Sequence, residues 1–476
     1  MERKPLILLL SVCATFIILN CWAIAHEFFL APLLSVALLV VYIAIFRFDW
    51  LLCLMAFITP LSIPLSEFSE QLIDISLPAE PIMLIVTFLF FARALYGIRS
   101  HPQFLKHPVT IVVYFYLFWL LITSITSTIS LVSFKFLAAK IWFIVSCYFA
   151  LQQFFNNDNK NILRIFNCYI AGLAIVVLVT TIKHANYGFS EASGRWSMSP
   201  YYNDHTAYGA ILAFFIPIAF GFAFLPNIKK RVRFFYFALI ILFMIALYLS
   251  FSRAAWLSLF FAIGVWCILK WRIKLSWVLL AVVVFGAAFY NFSDDIFYRM
   301  SRNDQDSSTN LVEHLQSITN ISTDASNVER LNRWASAGNM IKEKPITGWG
   351  PGTYQFNYAP FQQSKYKTII TTNFGDGGNA HSEYIGPFAE TGIFGFLSVL
   401  ALVITILYFG IKTYIDSTNI KTRIIVLSLT IALISYFIHG VLNNFLDTDK
   451  LSLPYWAAFA AIVTLAQNTK QENDVN

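Results

Sequence analysis

"FFYFALIILFMIALYLSF", Phe234 to Phe251, is a run of eighteen residues without a charge. Coiled as an α-helix it would rise about 27 Å, close to the ~30 Å hydrocarbon thickness of a bilayer. Ser252 and Arg253 follow, and then "AAWLSLFFAIGVWCIL", Ala254 to Leu269, begins a second apolar run. Two such runs separated by one arginine make a membrane hairpin, and comparable runs recur along most of the 476 residues. Composition agrees: 58% of residues are hydrophobic, 17% aromatic and only 12% charged, with a mean hydropathy of +0.65. That is too apolar for the surface of a soluble domain. The sequence predicts an all-α polytopic integral membrane protein of about 12–14 transmembrane helices, by the length criterion for a span.

Charge sets the orientation. With a cytoplasmic N-terminus, the connections expected inside contain Arg47; Arg93, Arg99 and Lys106; Lys160 and Arg164; Lys229, Lys230, Arg231 and Arg233; Lys270, Arg272 and Lys274; Lys412, Lys421 and Arg423. Short connections on the other side hold few cations, and "SEFSEQLIDISLPAE", Ser66 to Glu80, is acidic. This is the positive-inside pattern. The net charge of +7 is therefore mainly topological and implies no nucleic-acid partner. The six cysteines, Cys13, Cys21, Cys53, Cys147, Cys168 and Cys267, lie in apolar runs without a CxxC pair, so neither a disulfide framework nor a metal site is expected. Arg3 and Lys4 before an apolar run, then Ala23-Ile-Ala25, imitate a secretory signal, and an uncleaved first helix is the preferred reading.

The expected organisation is transmembrane helices over 1–291, a large periplasmic loop over 292–383, further transmembrane helices over 384–467, and a cytoplasmic tail over 468–476. Within the loop, "SNVERLNRWASAGNMIKEK" predicts an amphipathic helix near 326–343. Leu331, Trp334, Met340 and Ile341 would form its apolar face, Ser326 or Asn327 its N-cap, and Pro345 its end. "GWGPG", Gly348 to Gly352, follows. Its glycines serve either a tight turn or a backbone pocket whose N–H groups approach an anion. There is no P-loop, dinucleotide fingerprint, HExxH or GxSxG, which removes support for ATP-driven transport and the common soluble chemistries.

Several polar residues on the predicted non-cytoplasmic side need an explanation. Arg253 either snorkels to headgroups or binds an anion where positive charge is otherwise scarce. Arg330 and Arg333 are either solvated or offer planar forks to phosphate oxygens, with Trp334 one turn from Arg330 to pack beside its stem. His381 opens "HSEYIGPFAETGIFGF" and is either structural or a proton acceptor near neutral pH. Glu383 or Glu390 would orient its ring, favour the helix N-terminus, or face a polar interior. His205, beside Asn203 and Asp204, reads first as part of a helix cap and second as a sugar contact. Lys135 and Lys140 are placed to meet lipid phosphates, and Asp447, Asp449 and Lys450 carry no assigned chemistry.

Together, "SRAAWLSL", "ERLNRWASAGNMIKEKPITGWGPGTYQ" and "NAHSEYIGPFAETGIFGF" resemble the O-antigen ligase and O-antigen polymerase superfamily of bacterial envelope proteins. Arg253, Arg330 with Trp334, Pro345 with Gly348 and Gly350, and His381 with Glu390, Thr391 and Gly392 match its motifs in order, over about residues 240 to 410. Many members carry Asn after the histidine where this chain has Ser382, which puts in doubt any role that needs an amide there. The resemblance implies a multi-pass protein of the bacterial inner membrane, with its active site facing the periplasm. It would transfer a glycan from an undecaprenyl-pyrophosphate donor to an acceptor hydroxyl, with inversion and without metal or cofactor. Arg253 and Arg330 would hold the pyrophosphate and His381 would be the general base. Arg333, Trp334, Gly348, Gly350, Ser382, Glu383 and His205 would be supporting residues. Partners would be the lipid-linked donor, lipid A-core or another glycan acceptor, and membrane lipids. Ligation to lipid A-core is the favoured reading; polymerisation, protein O-glycosylation, and a non-catalytic polyprenol-lipid or polysaccharide transporter are the alternatives.

Overall fold

The computed structural model describes residues 15–26, 39–67, 75–98, 100–274, 276–277, 325–363 and 378–475. The proposed Ser326 or Asn327 cap, most of the predicted loop N-terminal to Ala325, and the span expected before it lie outside the residues whose side chains are described.

Eight helices among the described residues are long and apolar enough to cross a membrane. We label them with the loop helix and the C-terminal helix: α1 (Pro108–Ile125), α2 (Ser130–Asn157), α3 (Lys160–Ala185), α4 (His205–Ala223), α5 (Lys230–Leu249), α6 (Arg253–Lys270), α7 (Ala325–Glu343), α8 (Ile385–Asp416), α9 (Ile420–Leu442) and α10 (Asp449–Val475). α7 is the loop helix and α10 follows the last of the eight. Shorter apolar helices, Thr15–Ala25, Phe48–Leu61 and Ala79–Leu95, precede them. The only strand pairing among the described residues is Ile63–Pro64 with Ser76–Leu77, so the chain is an all-α multi-pass membrane protein.

The two ends of the bundle differ in chemistry. The starts of α5 and α9 and the ends of α6 and α8 carry the lysines and arginines of the connections assigned to the cytoplasm. At that end Arg233 Nε donates to the Ala223 carbonyl (3.1 Å), and Asn468 of α10 reaches Asn159 before α3 (2.9 Å). The opposite end gathers the starts of α4, α6, α8 and α10 and the end of α9, with α7 packed on α8.

α4 and α9 form the centre. They pack more extensively on each other than any other pair, and 78% of each span is buried. α5, with higher mean hydropathy (2.4 against 1.8 for α4), is only 28% buried. Lipid is as apolar as a protein core, so hydropathy does not tell a lipid-facing helix from a central one. Close helix contact instead takes small residues. Gly209 of α4 lies against Ser252 and Ala255 at the start of α6, and Gly221 against Ser428 of α9. In both places a Cβ would collide.

Candidate functional site

α8 is broken in its second turn. Gly392 has φ 68° and ψ −167°, a conformation almost confined to glycine, so the helix stops at Thr391 and resumes beyond it. The break leaves carbonyls without their helical donors, and these need partners from elsewhere in the fold. The Gly348–Gly352 turn closes it. Trp349 N donates to Ala389 O (3.2 Å), Gly350 N to Glu390 O (2.8 Å), and Ile393 N donates back to Pro345 O (2.9 Å). Trp119 Nε1 from α1 takes Thr391 O (2.7 Å).

Gly348, Gly350 and Gly352 all have positive φ, and a Cβ on Gly348 would overlap the backbone of Glu390. With Gly348 N bonded to Lys344 O (3.2 Å), the N–H groups of residues 348 to 350 all point at protein carbonyls. Of the two readings of this motif, the geometry is that of the turn: its glycines hold α8 against the loop helix, and the amides of residues 348 to 350 are already taken by carbonyls. The Glu390 carboxylate belongs to the same construction, accepting from the N–H of Tyr354 (2.9 Å) and of Gly352.

α7 begins at Ala325 and ends at Glu343, within a residue of the sequence expectation at each end. Arg333 on it is not solvated. It is 7% exposed, its Nε donates to Glu329 (2.8 Å), another nitrogen donates to Asn379 O (3.0 Å), and its guanidinium lies 5.3 Å from the Tyr358 ring. Glu329 is itself 4% exposed, so the charges offset each other at i, i+4. Tyr354, whose hydroxyl donates to Arg333 O (2.7 Å), ties the helix back to the glycine turn. Arg333 thus fastens the segment that carries His381.

That segment is tightly constrained. Asn379 Oδ1 accepts the His381 N–H (3.0 Å), and His381 adopts φ 47°, a left-handed conformation in which few non-glycine residues are found. Ser382, 2% exposed, accepts the N–H groups of Tyr384 and Ile385 (both 3.3 Å) and so caps α8. A hydroxyl performs this role well, which accounts for Ser382 without an amide. Glu383 faces away from the histidine. It accepts from Tyr436 (2.5 Å), Phe445 N (2.8 Å) and Leu446 N (2.9 Å), anchoring the α9–α10 connection, and burial raises its pKa. Neither Glu383 nor Glu390 orients the His381 ring, because both carboxylates are bound elsewhere, and among the described residues no group hydrogen-bonds that ring.

The His381 imidazole is instead tuned by burial and charge. Burial pushes its pKa down to about 4, and Arg333 and then Arg330 push it the same way, while Asp204 opposes them. Arg330 and Asp204 also act on His439, near the end of α9, which is 1% exposed, meets the backbone of Ala254 and has Asn443 on its Nε2 (3.2 Å). Arg253 is the first residue of α6, next to Ala254. One end of the bundle therefore assembles Asp204 from the start of α4, Arg253, Arg330, His381 and His439. Arg253, Arg330 and His381 stand out in the sequence as candidates, whereas His439 does not. Its signal was an ionisable residue inside an apolar run, which in a membrane protein marks a functional candidate.

Two other candidates resolve into structural roles. Asp204 is the N-cap of α4, accepting from Thr206 N (2.8 Å), and His205 Nδ1 bonds Ser250 O (2.9 Å), linking α4 to the end of α5. Lys140 does not meet lipid phosphate: it is buried against Asp447 (2.8 Å) and Leu446 O (2.8 Å), whereas Lys135 is exposed. Trp334 lies one turn from Arg330 on α7, partly buried.

Residues 237–400 match the family model described as O-antigen ligase. This segment is similar to the O-antigen ligase family. The match takes in Arg253, Arg330, the glycine turn, His381 and the α8 break, and leaves Asp204, His205 and His439 outside. A protein of Haemophilus influenzae, described as uncharacterized, is 25% identical over 246 residues, covering 50% of this chain and 58% of the relative. The alignment thus spans little more than half of that relative.

Proposed function

We propose that the chain is a membrane glycosyltransferase that moves a glycan from an undecaprenyl-pyrophosphate donor to an acceptor hydroxyl at the periplasmic face of the inner membrane, and that its acceptor is lipid A-core. The observation that carries this reading is the shared field of Arg330, Arg333 and His381 at the end of the bundle remote from the basic connections. Breaking the bond from the anomeric carbon to the pyrophosphate builds negative charge on the leaving group, and guanidinium groups fixed in place stabilise it without reorganising. Arg253 and Arg330 take that role, and Arg333 holds the histidine segment.

The acceptor hydroxyl is a poor nucleophile until its proton is removed. His381 is uncharged at neutral pH because its pKa is depressed, so it is ready to accept that proton. Its weak basicity in the free protein follows first from burial and then from Arg333 and Arg330. When donor phosphates neutralise them, the imidazole becomes more basic at the moment it is needed. A direct displacement of this kind inverts the anomeric centre.

The test is transfer from purified lipid-linked donor to lipid A-core in the presence of a chelator, with His381→Ala, Arg253→Ala and Arg330→Ala compared with the parent. Loss in all three supports the assignment. Full activity of His381→Ala removes the base, and normal activity of both Arg→Lys variants removes paired phosphate recognition. A deletion strain whose lipid A-core lacks long chains while carrier-linked polymer accumulates indicates ligation; single-repeat caps indicate polymerisation, and unchanged lipopolysaccharide with lost glycoprotein indicates protein O-glycosylation.

A further inference from the structure

The backbone from Asn379 to Glu383 has a second side. There a cavity of about 580 Å³ opens between α1, α2, the glycine turn, α8, α9 and the α9–α10 connection. Asn379, Ala380 and Ser382, which flank His381, line it, whereas His381 itself, Arg253, Arg330 and Arg333 do not, so a sugar held here brings its reacting hydroxyl to His381 at the rim. Its volume falls within the usual range for a small-molecule site.

Its charge disfavours phosphate. The ionisable side chains of opposite sign in its wall are three carboxylates, Glu383, Glu390 and Asp447, against one ammonium, Lys140, which is already paired with Asp447. Such a wall repels a pyrophosphate, and the two sides of the histidine segment are therefore complementary to different chemistry. A bare hydrocarbon chain is disfavoured too, because polar groups in the wall have no protein partner among the described residues. Tyr455 is 4% exposed and its hydroxyl bonds no described residue; the same holds for the Tyr116 hydroxyl. Asn444 Oδ1 is buried without a partner. Leaving Asn444 Oδ1 unpaired and buried is costly, the two hydroxyls are open to an occupant of the cavity, and a ligand rich in hydroxyls satisfies all three. Phe136, Tyr384 and Trp456 supply apolar surface suited to the C–H face of a pyranose.

We propose that this cavity is a carbohydrate subsite that holds the acceptor saccharide on the face of the histidine segment opposite the arginines, with Tyr116, Tyr455 and Asn444 bonding its hydroxyls. This rests on the transferase reading above and adds to it the acceptor's location. The experiment uses the full-length protein in detergent and, as probe, core oligosaccharide freed from lipid A by mild acid. Binding is followed by tryptophan fluorescence and, separately, by inhibition of transfer. Tyr116→Phe and Tyr455→Phe remove only hydroxyls that hold nothing in the fold, and Asn444→Ala serves as an independent third variant.

Expected are competitive inhibition against lipid A-core, and a tenfold or greater rise in the acceptor KM and in the oligosaccharide Kd in the Tyr116→Phe/Tyr455→Phe protein, with the donor KM unchanged. A changed donor KM with an unchanged acceptor KM assigns the cavity to the donor and overturns the proposal, as does an unaltered Kd in all three variants. If the parent protein binds the oligosaccharide in a manner sensitive to these variants yet transfers nothing, the transferase reading fails while the subsite stands.

Discussion

The glycine turn and the histidine cluster lie at the same end of the bundle and are built in opposite ways. In the turn, every backbone amide from Gly348 to Gly350 and the carbonyls of Ala389, Glu390 and Thr391 are paired within the protein. In the cluster, the His381 ring has no hydrogen-bond partner among the described residues, and two histidines share the influence of Arg330 and Asp204. The difference teaches where to look for chemistry. A saturated network fixes geometry, while titratable groups held in place by charge and burial are available to a substrate.

Substitutions should separate the two regions. The largest effect is expected for His381→Ala, with transfer falling about 100- to 10,000-fold, the usual range for loss of a general base, while thermal unfolding is unchanged. Gly392→Ala should do the reverse. Forcing a Cβ into this conformation costs on the order of 1–3 kcal/mol, and the Cβ also overlaps Ile346. The expected readout is a lower unfolding temperature and less folded protein, and an unchanged unfolding temperature would sink the clamp interpretation.

A pH profile sharpens the contrast within the cluster. A histidine whose pKa lies near 4 stays in its basic form as pH falls through the ordinary histidine range, so kcat/KM should hold down to pH 5 and drop only near 4. The acid limb of kcat should lie at higher pH than that of kcat/KM, because bound phosphates offset the arginines. Coincident limbs would mean that the donor does not contact them. The smallest effect is expected for Asp204→Asn, which preserves a good N-cap but removes the one acidic group among the described residues that raises the His381 pKa, moving the acid limb slightly to lower pH.

Local pattern made much of this legible. The α5–α6 hairpin follows from run length alone, and α7 from the spacing of Leu331, Trp334, Met340 and Ile341 ahead of Pro345. Arg330 and His381 were legible as residue types on one predicted face. What escaped depends on partners distant in the chain. The glycine turn is interpretable only once it is set against Gly392, Lys140 only once Asp447 is beside it, and Arg333 only once its fork is seen on Asn379. His439 was hidden by the apolar run around it, where hydropathy registers a span and passes over the single imidazole.

The break in α8 also bears on how the protein is made. A nascent α8 that enters the bilayer ahead of its partners carries the carbonyls of Ala389, Glu390 and Thr391 into a medium with no donors, at a cost of several kcal/mol per group. Two of the donors that relieve this come from the extramembrane turn preceding the helix, and the third from α1. Integration of α8 is therefore coupled to the folding of the segment that precedes it in the chain, and that largely buried turn serves as an assembly template for the helix.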